Sequence, residues 1–318
     1  MGSKNKVIKD KAKSIRMRLL NISKENSFDY NVVLSRYVQE RMLYRLSQSK
    51  YKSQFFLKGG ALLYAYNRLG ARPTLDVDFL IKNISNDKEH IKGVFREILA
   101  IACNDDALTF DLDSIETVEI MEGKLYQGIN VGVNGLLDGM KLHLSADVGF
   151  GDVTIPDPIE LAYPGLLDDM PEPKVNAYSL ETVVAEKFQT MIALSVYNSR
   201  MKDFYDLYSI LRIQKLDKEG LKAAIIATFK NRNTKYTDNH LLFKEDFYKD
   251  SVKNRQWKDF LKKIKHQGEL SFEEVLKYIQ TEMLPYWEIL RIKQENTEET
   301  AEKGTAGTGQ RQAASAEP

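Results

Sequence analysis

The sequence reads FLKGGAL at residues 56–62 and RPTLDVDF at residues 72–79, and these two segments decide the fold. The first starts as a short apolar strand, turns at a Lys-Gly-Gly step and continues as an apolar helical run. The second leads into another strand over residues 75–81. Two strands joined through a glycine turn and a helix indicate a mixed α/β domain.

The α/β pattern extends on both sides of these segments, over residues 28–175. A helical pattern precedes them, and three stretches with period-two alternation follow, at residues 115–121, 125–133 and 139–148. Residues 153–178 hold five of the eight prolines, so we predict that they are mostly loop.

Three further regions flank this α/β domain. Residues 1–27 form a basic segment that is partly helical in pattern. Beginning at the N-cap candidate Ser179, helical spacing continues through residues 179–292 and predicts a helical domain. Residues 293–318 are poor in large apolar side chains, so we predict a disordered tail. The predicted class is α+β, with a mixed sheet and its helices in the N-terminal domain and helices alone in the C-terminal domain.

Composition excludes several classes of protein. Of the 318 residues, 43% are hydrophobic, which is enough apolar material for a core. The single cysteine, Cys103, excludes an internal disulfide framework. No apolar run reaches the roughly 18–20 residues that cross a bilayer, so we expect a cytoplasmic protein without a membrane segment. The basic stretches 1–20 and 212–266 suit a nucleic-acid backbone, and a solvated helical surface is the alternative.

Carboxylates form the first candidate site. Asp76 and Asp78 alternate with apolar residues along one strand, so they share a face. Two negative charges this close favour a divalent cation between them, and Mg²⁺ prefers oxygen ligands. Asp147 lies on the polar face of the strand at 139–148 and would complete a three-carboxylate site for in-line phosphoryl chemistry. Solvated acids at strand ends are the alternative interpretation.

The turn formed by Lys58, Gly59 and Gly60 is the second candidate. Glycines let the backbone come close to a ligand, and the first N–H groups of the following helix attract phosphate. The turn is not a Walker P-loop, because the spacing and the hydroxyl residue of that motif are absent. A tight turn that binds nothing is the alternative.

Together these segments resemble the AbiEii/AbiGii toxin family. The resemblance covers residues 28–215 and adds three motifs to the two opening ones, namely ADVGFGD at 146–152, LETVVAEKF at 180–188 and KDFYDL at 202–207. It implies a polymerase-β-like nucleotidyltransferase, the toxin half of a type IV toxin–antitoxin system in phage defence. It also implies an AbiEi-like antitoxin with a winged-helix DNA-binding region, encoded nearby.

The resemblance implies a role for each matching residue. It assigns binding of Mg²⁺, or alternatively Mn²⁺, to Asp76, Asp78 and Asp147. It assigns catalysis to these three residues and to Lys187 and Asp203. Nucleotide binding falls to Lys58, Gly59, Gly60, Lys187, Lys202 and Asp206. The chain departs from the family at Ala61, where many members have Ser or Thr, and at Lys202, where Arg is usual. The first change removes a hydroxyl that can contact phosphate. The second replaces the planar guanidinium of Arg, which can donate two hydrogen bonds to one phosphate, by an ammonium.

The helical motifs also have a physical interpretation. Lys187 lies within an apolar stripe at helical spacing, so it must snorkel, pair with an acid or face a cleft. In the cleft it would steady the triphosphate. Asp203 and Asp206 are three residues apart on the next helix and share a side. They can pair with Lys187, with Arg200 or with the substrate.

Three functions therefore compete. The favoured one, by resemblance, is transfer of a nucleotide from an NTP to an RNA acceptor, the tRNA 3′ end above all. The second keeps the enzyme class and changes the acceptor to a protein hydroxyl or a small molecule such as an aminoglycoside. The third is a non-catalytic nucleotide- or RNA-binding module that acts through a partner. The choice of NTP and the oligomeric state are not determined by the sequence.

Overall fold

The structure is a computed structural model that describes the backbone of residues 2–122 and 126–309. Side chains are described from residue 11 to residue 295, except at 69 and 121–127. The chain divides into two compact units, unit 1 (residues 1–179) and unit 2 (residues 180–318). The predicted boundary between the two domains lies at this division.

Unit 1 contains a mixed sheet and four helices among its described residues. The strands are β1 (Phe55–Lys58), β2 (Asp76–Ile81), β3 (Thr109–Glu122), β4 (Tyr126–Leu137), β5 (Met140–Gly149), β6 (Ile159–Ala162) and β7 (Lys174–Ala177). They lie in the order β3-β4-β5-β2-β1-β7-β6. The helices are α1 (Gly2–Glu25), α2 (Tyr30–Ser47), α3 (Gly59–Asn67) and α4 (Lys88–Leu99).

The central strand β2 follows from the alternation in its sequence. It pairs antiparallel with β1 and parallel with β5. Val77 and Phe79 are fully buried on its apolar face. The Phe79 ring lies edge-on to Phe55 of β1 at 5.3 Å, and Phe55 lies 5.9 Å from Phe95 of α4. Burial of these rings, at about 2–3 kcal/mol each, fixes which face of the sheet is apolar and therefore which face carries the acids.

The N-terminal basic segment is a helix that belongs to unit 1. Leu19 of α1 is fully buried, as its position in the apolar pattern requires. Several basic side chains of this helix form ion pairs within the unit: Lys11 with Asp105, Arg16 with Asp138 and Arg18 with Asp169. These three cations are therefore already paired with acids of the same unit.

One region differs from the sequence prediction in unit 1. Residues 153–178, predicted as mostly loop, contain β6 and β7. β7 pairs parallel with β1, and β6 pairs antiparallel with β7. Each strand has only four residues, so neither carries enough alternation to be recognised between the prolines.

Unit 2 is helical throughout its described elements. They are α5 (Leu180–Leu194), α6 (Met201–Ile213), α7 (Lys218–Asn231), α8 (Glu245–Lys249), α9 (Ser251–Lys263) and α10 (Phe272–Gly309). Trp287 is almost fully buried, with its ring 6.3 Å from Phe188 and 6.1 Å from Phe229. The predicted α+β class, with a helical C-terminal half, is confirmed. Within the described residues, none of the helices is long and apolar enough to span a membrane.

The end of α10 overlaps the predicted disordered tail. Residues 293–318 were expected to lack structure, but α10 continues to Gly309, and residues 310–318 lie outside the described residues. A shortage of large apolar side chains argues against packing into a core, but it does not exclude helix. Glu, Lys and Ala have high helix propensity, so a helix nucleated in the packed part of α10 can propagate further.

Candidate functional site

Strand register brings the predicted carboxylates onto one face of the sheet. β2 and β5 pair Asp78 with Asp147 and Asp76 with Ser145. Residues paired directly across two strands point to the same face, and the strands lie about 4.8 Å apart. Asp78 and Asp147 are therefore immediate neighbours, and Asp76 lies two residues further along β2. All three side chains are partly exposed.

Asn130 of β4 extends the row formed by Asp78 and Asp147. It pairs with Asp147 across the sheet, and its Nδ2 donates to Asp147 Oδ1 at 2.7 Å and to Ser145 Oγ at 2.8 Å. These bonds fix the orientation of the Asp147 carboxylate. Sequence reasoning gave Asn130 no role, although the alternation of the strand predicted at 125–133 places it on the polar face.

The glycine turn lies directly against the carboxylates. Gly59 has φ +66°, and a Cβ there would lie 1.9 Å from Asp78 Oδ2. At Gly60 a Cβ would lie 2.9 Å from the Cβ of Thr74. Glycine is therefore required at both positions, because the start of α3 closely approaches β2 at Gly59 and the segment before β2 at Gly60. Ala61 is fully buried behind them, so its side chain contributes packing.

Lys58 occupies the other end of the row. It pairs with Asp78 across β1 and β2, and its Nζ donates to Asp152 Oδ2 at 3.1 Å. The ammonium also lies 5.5 Å from the centre of the Tyr178 ring. The Asp152 side chain is only 4% exposed, so its charge is held by this pairing. Asp152 belongs to the ADVGFGD motif, but no function was predicted for it from the sequence.

Asp78 and Asp147 are the candidate ligands for a divalent cation. Carboxylate oxygens of Asp78 and Asp147 on neighbouring strands are the ligand type that Mg²⁺ accepts, with water and phosphate oxygens completing the shell. In the described part of the chain, however, no three His, Cys, Asp or Glu residues are grouped closely enough to hold a metal ion. The residues thus fit a cation shared with a substrate phosphate better than the closed three-carboxylate group that the sequence suggested.

The remaining predicted residues form a cluster in unit 2. Lys187 Nζ on α5 donates to Asp203 Oδ1 at 2.8 Å and to Asp206 Oδ2 at 2.9 Å, both on α6. Arg200 Nε donates to Asp203 Oδ2 at 2.7 Å. Of the three options for Lys187, the structure has the pairing with acids. Lys202 is exposed, and Arg200 is the second cation of the cluster.

Electrostatics within this cluster favour the charged form of Asp203. Burial alone would raise the pKa of this carboxyl group. The attraction of Lys187 and Arg200, with their hydrogen bonds, outweighs burial, and the pKa of Asp203 lies below its ordinary value. Asp203 therefore stays ionised at neutral pH. The predicted catalytic set thus falls into two groups, one in each unit.

These features define the class of the protein. An α+β unit whose central strands carry adjacent carboxylates, against a Lys-Gly-Gly turn at a helix start, has the groups needed to bind a polyphosphate and a cation. The chain matches a family described as nucleotidyl transferase AbiEii toxin, type IV toxin–antitoxin system, over residues 41–278. The match covers most of the chain, so the protein belongs to this family of nucleotidyltransferase toxins, as the sequence motifs predicted.

Two solved structures have a similar fold. One is MenT4, a nucleotidyltransferase toxin from Mycobacterium tuberculosis H37Rv, with 14% identity and a TM-score of 0.49 over 88% of this chain and 98% of that one. The other is JHP933 from Helicobacter pylori, with 12% identity and a TM-score of 0.45 over 82% and 94%. Similarity of this degree carries no argument about substrates or partners. No curated protein matches the chain.

Proposed function

We propose that this toxin transfers a nucleotide from an NTP to an RNA acceptor, with the tRNA 3′ end as the favoured acceptor and pyrophosphate as the leaving group. The observation that carries the proposal is the row of Lys58, Asp78, Asp147 and Asn130 on one sheet face, against the Gly59 turn. The cation and the N–H groups at the helix start can bind phosphate, and the carboxylates can bind a metal ion and accept a proton.

In this proposal each residue of unit 1 has a defined task. Lys58 and the start of α3 bind the polyphosphate, and Asp78 and Asp147 would hold Mg²⁺ or Mn²⁺ together with a phosphate oxygen, with Asp76 two residues away on β2. The cation would neutralise charge on the phosphates. Asp147 accepts the proton of the acceptor hydroxyl as its oxygen bonds to the α-phosphorus. The bond between the α-phosphorus and the α,β-bridging oxygen breaks, and pyrophosphate leaves with that electron pair.

Unit 2 supplies the proposed contacts with RNA. On α9, Arg255, Lys258 and Lys262 are all exposed and recur at i, i+3 and i+7, so they share one side of the helix. Such a ridge can follow a phosphate backbone. Replacing all three by Gln is expected to raise the KM for RNA and to reduce its dependence on salt, while the KM for NTP stays unchanged. A KM for RNA equal to that of the wild type would show that these three residues of α9 do not contribute to RNA binding.

The direct test is a transfer assay in which every labelled NTP is combined with every class of acceptor. Purified protein, Mg²⁺ or Mn²⁺, and tRNA, total RNA, protein or an aminoglycoside are incubated together, and label is expected in RNA. Asp147→Asn is expected to reduce kcat at least about a hundredfold. Asp157→Asn, an exposed acid on the same unit, is the matched control and is expected to act as the wild type.

The same assay separates the competing functions. Label in protein or in the small molecule would replace the RNA acceptor and keep the enzyme class. Absence of transfer to all acceptors by folded protein would overturn the proposal. Toxicity that persists when Asp76 and Asp78 are both changed to Ala would favour a binding module that acts through a partner.

The biological setting is also part of the proposal. Type IV toxin–antitoxin membership supports an antitoxin partner, which we propose is AbiEi-like and encoded next to this gene, with the pair acting in the cytoplasm against phage. Expression of the toxin alone is expected to stop growth, and co-expression of the neighbouring gene is expected to restore it. Unchanged growth arrest on co-expression would reject that gene as the antitoxin.

A further inference from the structure

A cavity of about 420 Å³ lies in unit 1 beside the start of β2. β2 pairs with β5 from Asp76 and Ser145 onward, so the first part of β5 extends beyond the start of β2. The cavity lies next to this extension and is also bounded by the first turns of α2. Asp76 forms part of its wall, so any molecule that fills it is next to the carboxylate row.

The lining combines apolar groups, neutral polar groups and one charge of each sign, Lys141 and Asp76, and it suits a flat heteroaromatic ligand. Apolar walls come from Leu34, Leu75 and Leu142, and His143 adds a planar ring. Neutral hydrogen-bonding groups come from three further residues of the lining, Asn31, Ser35 and Ser145. Stacking faces combined with amide and hydroxyl groups are what proteins use for unpaired bases. The volume is within the range of about 300–1,000 Å³ that small-ligand sites have and holds one nucleoside.

The position along β5 indicates which nucleoside enters. Lys58 and the start of α3 lie at the row of Asp78 and Asp147, whereas His143 lies four residues before Asp147 on β5. At about 3.3 Å per residue, this separation is roughly 13 Å along the strand. In-line phosphoryl transfer places the entering oxygen opposite the leaving pyrophosphate. With the phosphates at the turn beside Asp78, the cavity lies along β5 on the N-terminal side of the pair Asp78 and Asp147, and it is available to the acceptor.

We propose that this cavity binds the terminal nucleoside of the RNA acceptor. His143 stacks on the base, Asn31 and Ser35 contact its edge, and Ser145 with Asp76 contacts the ribose, whose hydroxyl is thereby directed to Asp147. The proposal rests on the proposed transfer to RNA and assigns the acceptor subsite of that reaction. It makes the cavity a determinant of which RNA end is modified.

The test uses a short RNA hairpin with an unpaired 3′ end in two forms, one with a normal terminal nucleoside and one with an abasic terminal ribose. His143→Ala is expected to raise the KM for the normal RNA roughly tenfold, as loss of one stacked base implies, and to leave the KM for NTP unchanged. The abasic RNA is expected to have a raised KM with wild-type protein and no further increase with His143→Ala. His90→Ala, an exposed histidine on α4 outside the cavity, is the control.

Each other outcome has a defined meaning. A raised KM for NTP with an unchanged KM for RNA would overturn the proposal and assign the cavity to the incoming base. Equal KM values in all variants would show that the cavity binds no substrate. If wild-type protein transfers nothing, the proposed function fails, and fluorescence anisotropy with the two hairpins still decides the cavity. In that experiment the preference for a terminal base must be present in the wild type and lost in both His143→Ala and Asn31→Ala.

Discussion

Gly59→Ala is the sharpest test of the geometry around the carboxylates. The new methyl group would lie 1.9 Å from Asp78 Oδ2, 2.5 Å from Asp78 Cγ and 2.8 Å from Asp78 Cβ. Because real contacts are 3.0 Å or longer, the carboxylate must move by about 1 Å or more. In addition, φ +66° at this position costs an alanine about 1–2 kcal/mol. The variant therefore combines backbone strain with displacement of a proposed catalytic group.

The two effects are separated by a matched glycine. Gly139 has φ +76°, but a Cβ built there meets no atom within 4 Å, so Gly139→Ala carries the strain alone. Urea unfolding is expected to give a loss of about 1–2 kcal/mol for Gly139→Ala and a larger loss for Gly59→Ala. In the transfer assay, kcat is expected to fall roughly a hundredfold for Gly59→Ala, since 1 Å misplacement of a reacting group has effects of that size. Gly139→Ala is expected to keep the wild-type kcat.

Two results would refute this reasoning. Wild-type kcat in Gly59→Ala would show that the position of the Asp78 carboxylate does not limit the reaction. Equal losses of kcat in Gly59→Ala and Gly139→Ala would show that the loss comes from general destabilisation. Circular dichroism of both variants at the assay temperature establishes that folded protein is compared.

Three further perturbations test other parts of the structure. Asp152→Ala removes a carboxylate partner of Lys58, so we expect a raised KM for NTP with kcat less affected. An unchanged KM would show that Lys58 does not contribute to phosphate binding. Asp203 has a lowered pKa, so its stabilising contribution is complete above its ordinary pKa of 3.8 and is lost as the pH falls toward the lowered value. Asp203→Asn should therefore flatten the acid limb of a stability–pH curve, and an identical limb would contradict the pairing. Asp106→Ala leaves Arg45 buried without its carboxylate and should cost about 3–5 kcal/mol in urea unfolding; a loss below about 1 kcal/mol would contradict a buried ion pair.

The sequence predicted which face of a strand each side chain lies on, but it did not predict which strands pair with one another. Alternation placed Asp76 and Asp78 opposite Val77 and Phe79, and the structure has that division. Alternation carries no information on which strand lies beside which. The pairing of Asp78 with Asp147 joins strands about 70 residues apart in the chain, so it depends on packing of the whole sheet. The shared polar face was therefore predictable, whereas the row that includes Asn130 was not.

The sequence also did not predict the short strands or the residues that contact the candidate site residues. β6 and β7 have four residues each, and their positions are set by the pairing of β7 with β1 and of β6 with β7 rather than by their own pattern. Asp152 could be recognised as part of a motif, but its contact with Lys58 spans 94 residues of sequence. In contrast, the pairing of Lys187 with nearby acids was one of the alternatives that helical spacing in two adjacent helices left open, and the structure has it.

The pairing of Lys187 changes how its mutants must be interpreted. Lys187→Met would leave Asp203 and Asp206 buried with one cation fewer, so lost activity would not by itself indicate a phosphate contact. The double variant Lys187→Met with Asp206→Asn removes one charge of each sign and keeps the pairing of Arg200 with Asp203. If Lys187 contacts the triphosphate, the double variant should regain most of the lost unfolding free energy but keep a reduced kcat/KM, with a raised KM for NTP. Recovery of both stability and transfer would make Lys187 a structural residue.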